Sequence, residues 1–255
     1  MNKDIAIGVV SLGCDKNRID TEEMLGRLAG EGFGFTQDAA QADVIIVNTC
    51  AFIDSAKEEA ISTLLEMAEY KKDGKCKFLI ATGCLPQRYM QELAEGIPEV
   101  DAWLGTAGYD KVADVIGRLY AGERGIAIAN GKDDRCPVAP RMLTTPEHYA
   151  YLKIAEGCGN RCTYCAIPSI RGRYTSRPIE SIVEEAKTLT AQHPIKELIV
   201  VAQDVSRYGE DLYSVHKLTE LIQRLCELPG EWIRVLSLNP EKTSDELLDF
   251  FVADP

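Results

Sequence analysis

Short runs of branched and apolar residues recur along the chain: IAIGVV at 5–10, VIIV at 44–47, FLIA at 78–81, LIVV at 198–201 and IRVLSL at 233–238. Strands covered on both faces by helices are apolar throughout, whereas half-exposed strands alternate, so these runs predict buried parallel strands. Segments of helical period lie between them. Ile61, Leu64, Leu65 and Ala68 stand at i, i+3, i+4 and i+7, as do Ile179, Ile182, Val183 and Ala186, and Leu218, Leu221, Ile222 and Leu225. Ser55 with Glu58 and Thr243 with Glu246 have capping-box spacing, and Pro178 suits a first helical turn.

Strands and helices alternate throughout, so the fold class is α/β. The period fades between about Asn130 and Glu147, where NGKDDRCPVAPRMLTTPE carries three prolines. This predicts a first domain over 1–130 with a Rossmann-like open sheet, a linker over 131–147, and a second domain over 148–255 opening on the strand YAYLKIAEG.

Composition changes this picture little: 45% hydrophobic and 27% charged residues describe an ordinary globular chain. A net charge of −12 argues against a broad nucleic-acid-binding surface, which needs clustered Lys and Arg, and suits a basic protein partner. MNKDIAIGVVSLGC lacks the flanks and apolar length of a signal peptide, and no stretch of about 18 apolar residues occurs. The expectation is a cytoplasmic protein with no membrane association. Thiols stay reduced there, so nine cysteines point to metal, redox chemistry or burial rather than disulfides.

Cys14 ends SLGC, Cys50 ends VNTC and Cys84 ends ATGC, each just past a predicted strand. In an open parallel sheet these positions share the ligand-binding edge, and Gly13 and Gly83 let the backbone approach closely. Three converging thiolates predict a metal site, with zinc and iron–sulfur both open. Cys158, Cys162 and Cys165 form a second triplet, C-x3-C-x2-C, in EGCGNRCTYC. No histidine lies close by as the fourth ligand of a structural zinc site, so this loop points to a [4Fe-4S] cluster with one iron left open. Cys76, Cys136 and Cys226 have no comparable setting. The histidines form no zinc-hydrolase spacing, and no Walker-type loop occurs.

C-x3-C-x2-C after a strand resembles the radical S-adenosylmethionine superfamily. With the other triplet, the stretches SLGCDKNRIDTEEM, VNTCAFIDSAKEEA, ATGCLPQRY, LKIAEGCGNRCTYCAIPSIRGRYTSRPIESIVEEA and ELIVVAQDVSRYG resemble its methylthiotransferases, specifically the branch acting on ribosomal protein S12. AIPSIRG stands where the tRNA-modifying branch shows a VVPYTRG-like sequence. The resemblance implies an N-terminal methylthiotransferase domain, then a radical S-adenosylmethionine domain built as a partial TIM-type barrel. It implies two [4Fe-4S] clusters, one on Cys14, Cys50 and Cys84 and one on Cys158, Cys162 and Cys165, the latter binding S-adenosylmethionine. An electron, from a donor of unknown identity, releases a 5′-deoxyadenosyl radical that takes hydrogen from the β-carbon of an S12 aspartate. The first cluster presents the methylated sulfur that is inserted.

By the same resemblance Arg171, Gly172, Arg173, Ser176 and Arg177 line the radical site. Gln203 and Asp204, past a strand end, are candidate S-adenosylmethionine contacts. Members of the family are longer, so the chain is expected to end inside its barrel, without the small TRAM domain. A tRNA methylthiotransferase, a non-catalytic iron–sulfur module and a zinc-binding adaptor are the competing readings.

Overall fold

The computed structural model describes residues 4–129 and 140–253. They divide into two compact units, residues 4–129 with 140–142, and residues 143–253. The predicted linker, with Cys136, falls largely outside the described residues. Its described part is not all free connection. Arg141 pairs with Glu22 at 2.5 Å, both side chains almost wholly buried, and Met142 donates its N–H to the Glu22 carbonyl, binding this stretch to the first unit.

The first unit runs β1 (Ala6–Ser11), α1 (Asp15–Gly30), β2 (Gly34–Phe35), β3 (Val44–Thr49), α2 (Asp54–Asp73), β4 (Phe78–Gly83), α3 (Cys84–Gly96), β5 (Ala102–Leu104), α4 (Val112–Tyr120) and β6 (Ile126–Ile128). Its sheet is parallel throughout, in the order β2-β1-β3-β4-β5-β6. Every residue of β3 and β4 is buried, as continuous apolar runs require. Ile7, Ile46 and Ile80 pack with Met24, Leu28, Val115 and Leu119 in one core. Strand order reverses between β1 and β3, which makes the carboxyl edge there the topological switch point, the place where such sheets take ligands.

Two local expectations are corrected. Ser55 lies inside α2, whose N-cap is Ile53 without a side-chain cap, so the proposed capping box does not form. The buried stripe of α2 is Ala60, Leu64, Met67 and Ala68, with Leu65 exposed, because the helix is rotated toward Met67.

The second unit runs β7 (Tyr149–Lys153), β8 (Ala155–Glu156), α5 (Ile167–Arg171), β9 (Thr175–Ser176), α6 (Ile179–Gln192), β10 (Glu197–Val201), α7 (Glu210–Tyr213), α8 (Leu218–Cys226), β11 (Trp232–Val235) and α9 (Asp245–Ala253). β7, β10 and β11 lie side by side, parallel and in sequence order, with α6 and α8 between them in the chain. This is the repeat of a β/α barrel. The predicted stripes of α6 and α8 are all buried. Pro178 occupies the N-cap of α6, one residue before its first turn. At α9 it is Ser244, not Thr243, whose hydroxyl accepts from the Leu247 N–H (3.2 Å). YAYLKIAEG is not one strand: after Ile154 the chain leaves the main sheet, and β8 pairs antiparallel with β9. β11 ends before Leu236, and the left-handed Ser237 (φ 64°) turns the chain out of the sheet. No helix among the described residues is long and apolar enough to cross a membrane.

Candidate metal centres

The first triplet sits at the switch-point edge. Thr49 of β3 is in register with Gly83 of β4, so Cys50 and Cys84 leave adjacent strands at the same level. Ser11 of β1 pairs with Asn48, and Leu12 extends the ladder by donating to the Asn48 carbonyl (2.8 Å). Cys14 is the N-cap of α1 and Cys84 the first residue of α3, while Cys50 stands four residues before α2. Helix N-termini favour negative charge, so the edge suits thiolate ligands.

Close packing brings these segments together. A Cβ on Gly13 (φ 92°) would stand 2.8 Å from the Cys50 Cβ and 3.4 Å from its Sγ. Buried Asn17 binds three strand ends, its Nδ2 donating to the carbonyls of Leu12 (3.2 Å) and Thr49 (2.9 Å), while the Cys84 thiol donates to its Oδ1 (3.6 Å). Cys50 and Cys84 are buried and Cys14 is exposed. Cys76 is also buried, but its thiol donates to the Phe78 carbonyl (3.3 Å) at the opposite end of β4.

The second triplet lies on the loop after β8. The Cys158 N–H donates to the Gly172 carbonyl (3.2 Å) and the Cys165 N–H to the Cys162 carbonyl (3.0 Å), which folds the loop back on itself. Asn160 secures it at both ends of its amide. Its Nδ2 donates to Asp204 (2.9 Å), and its Oδ1 accepts from Lys242 (2.9 Å) and Arg207 (3.5 Å). Tyr164, between two of the thiols, is 86% exposed.

The structure places the remaining predicted residues as follows. Arg171 is buried and donates from Nη1 to both oxygens of Glu156 (3.2 and 3.3 Å). Glu156 also takes Lys153 (3.2 Å) and the Gln203 amide (3.2 Å), so a carboxylate shared by two buried cations stands directly before the cysteine loop. The other amide atom of Gln203, Oε1, is buried with no hydrogen-bond partner among the described residues. Asp204 is occupied by Asn160 and Ser206, and so anchors the loop. Ser176 is held by Asp211 through its hydroxyl (2.6 Å) and N–H (2.9 Å). Arg177 turns inward, bonding the Lys153 carbonyl (2.7 Å) and Glu185 (2.6 Å). Arg173 is exposed, and Gly172 serves through its carbonyl. Lys153, Glu156, Asn160, Arg207 and Lys242 were not singled out from sequence. Glu156 and Asn160 flank Cys158 in the cysteine motif, and that adjacency was the available signal.

Among the described residues no three His, Cys, Asp or Glu side chains are grouped to hold one metal ion. A cubane spreads its thiolates over different irons, so three soft donors without a fourth protein ligand fit a cluster better than a lone zinc.

Comparison with known proteins narrows the reading. Residues 6–105 match the model of uncharacterized protein family UPF0004, and residues 152–253 that of the radical SAM superfamily. The chain is 53% identical to ribosomal protein uS12 methylthiotransferase RimO of Clostridium tetani, over 97% of this chain and 55% of the relative. It is 51% identical to RimO of Lachnoclostridium phytofermentans, over 94% of this chain and 54% of the relative. Nearly the whole chain is thus similar to uS12 methylthiotransferases, with the radical SAM match confined to residues 152–253. The RimO of Trichlorobacter lovleyi is 47% identical, over 98% of this chain and 56% of its own length. The chain thus spans about half the length of the curated relatives it matches. A solved radical S-adenosylmethionine methyltransferase, TsrM from Kitasatospora setae, shares the fold at a TM-score of 0.64 and 14% identity, over 99% of this chain and 57% of the other.

Proposed function

We propose that this chain serves a methylthiotransferase that adds a methylthio group to the β-carbon of an aspartate of ribosomal protein S12, with two [4Fe-4S] clusters and S-adenosylmethionine as cofactors. The observation that carries this reading is the pair of thiol triplets, one at the switch point of the first sheet and one on the loop after β8, in a chain about half identical to uS12 methylthiotransferases. Cys14, Cys50 and Cys84 would hold one cluster, and Cys158, Cys162 and Cys165 the other. When bound, these cofactors supply the radical and sulfur chemistry that acid–base groups cannot perform at an unactivated C–H bond.

The protein's own contribution is placement. Asn160 and Asp204 hold the second cysteine loop in shape, and Glu156 orients Arg171 beside it. The buried Gln203 Oε1 is an acceptor suited to an ammonium donor such as that of a methionyl group. An electron donor is a required partner, and a cytoplasmic location fits a ribosomal substrate.

The test is an anaerobic assay with S12 and tRNA offered separately. Methylthiolated S12 with 5′-deoxyadenosine formed on reduction is expected. Modification of tRNA but not S12 would overturn the substrate, and stoichiometric zinc without sulfide would overturn the cluster reading.

A further inference from the structure

Arg207 stands against the second cysteine loop in a way no ordinary surface arginine requires. It follows β10 in a short 3-10 turn, Val205–Arg207. Its Nε donates to Glu210 (2.7 Å), its guanidinium lies 5.6 Å from the centre of the Tyr174 ring, and its Nη1 reaches the Asn160 side chain (3.5 Å). A Cβ on Gly159 would stand 2.9 Å from that same Nη1. The guanidinium therefore occupies the space that a side chain at 159 would need, one residue from Cys158. Three separate contacts fix its direction, and a planar fork held at both ends loses little freedom in keeping it.

From this placement, and resting on the cluster assignment above, we infer that Arg207 is a positioning residue that presents a fixed positive charge to the cluster held by Cys158, Cys162 and Cys165 and so raises its reduction potential. The physics is direct. A cluster gains one negative charge on one-electron reduction, and a cation held beside its ligands stabilises the more negative form; net charge and nearby donors are among the factors that set such potentials. Glu210 neutralises the Nε side of the guanidinium, while the Nη1 side faces the loop. Replacing Arg207 by a neutral residue removes the cation and leaves the Asp204 carboxylate, bound to Asn160 of the loop, with one fewer cation to offset it, so both changes push the potential the same way.

The experiment is an equilibrium redox titration of the reconstituted chain, followed by the paramagnetic signals of the reduced clusters, with iron and sulfide counted first. Arg207→Met is expected to move the midpoint potential of the second cluster downward and leave the cluster of Cys14, Cys50 and Cys84 unmoved as an internal control. Arg207→Lys is expected to recover most of the shift. Gly159→Ala, whose methyl group pushes the guanidinium away at little cost to the fold, is expected to give a smaller downward shift. Unchanged potential in Arg207→Met at full iron content overturns the inference. Should Arg207→Met fail to hold iron, an unmoved potential in Gly159→Ala overturns it instead. A wild-type chain whose second triplet assembles no cluster sinks the cluster assignment and this inference together, and the iron count reveals that before any titration begins.

Discussion

Gly83 packs directly on Thr49: a Cβ at Gly83 would lie 2.6 Å from the Thr49 carbonyl oxygen and 2.9 Å from its nitrogen. The same residue has φ 100° and ψ −150°, a conformation open only to glycine. Two cysteines are therefore set side by side by the residues that precede them. Gly83→Ala is expected to destabilise the first unit by on the order of 3 kcal/mol through strain and overlap. Urea unfolding would measure it, and iron bound to the first triplet would fall in the same variant.

Replacement of either triplet by alanine is expected to remove about half of the iron and sulfide of the reconstituted chain, because the proposed assignment gives each triplet its own cluster. Loss of all the metal from one replacement would contradict two independent centres.

Glu156 holds two buried cations, Lys153 and Arg171, together with the Gln203 amide. Removing one partner of a buried charge network costs far more than the network contributes against an apolar substitute. Glu156→Ala is expected to cost about 3 kcal/mol, and Glu156→Gln less, since the amide keeps the shape and an acceptor. Equal stability of wild type and Glu156→Ala in denaturant titration would contradict this account.

Asp43 joins three strands at their amino ends, accepting from the Ala6 N–H (3.0 Å) and pairing with Lys77 (3.0 Å). Partial burial raises its pKa, but the Ala6 hydrogen bond and the Lys77 ammonium outweigh burial and hold it below the ordinary carboxylate value. A depressed carboxylate adds stability above its unfolded pKa of about 4 and loses it as pH falls through the lower folded value. Asp43→Asn is expected to cost about 1 kcal/mol at neutral pH, with the difference from wild type shrinking in acid. Unfolding midpoints compared at pH 7 and below pH ~4 would show it.

The parts of the fold legible in sequence are those where burial is apolar. VIIV, FLIA and LIVV announce β3, β4 and β10 because helices cover both faces. α1 gave no stripe, because it buries the polar residues Asn17, Asp20, Thr21 and Glu22, three of which bind other segments: Asn17 at Thr49, Thr21 at Asn48 and Glu22 at Arg141. β5 and β6 were not foreseen either, each being only three residues long. The strand-end settings of Cys14, Cys50 and Cys84 were legible because each follows an apolar run. The supporting residues were not, because Lys153, Arg207 and Lys242 read as surface charges until the strand ends are brought together. Nor could sequence show what holds two of the expected site residues, Ser176 by Asp211 and Arg177 by Glu185.

The two triplets differ in how much chain must be ordered before their sulfurs meet. Cys158 to Cys165 lie on a single loop that is held from outside by Gly172, Asp204 and Lys242, whereas Cys14, Cys50 and Cys84 come from three successive strand-to-helix junctions 70 residues apart at their extremes. Both closures wait on a sheet: the first set of thiols meets when β1, β3 and β4 pair, the second loop is fixed only when the ends of β10 and β11 bring Asp204 and Lys242 to Asn160. In a growing chain the first set of thiols is therefore brought together before the later loop is secured.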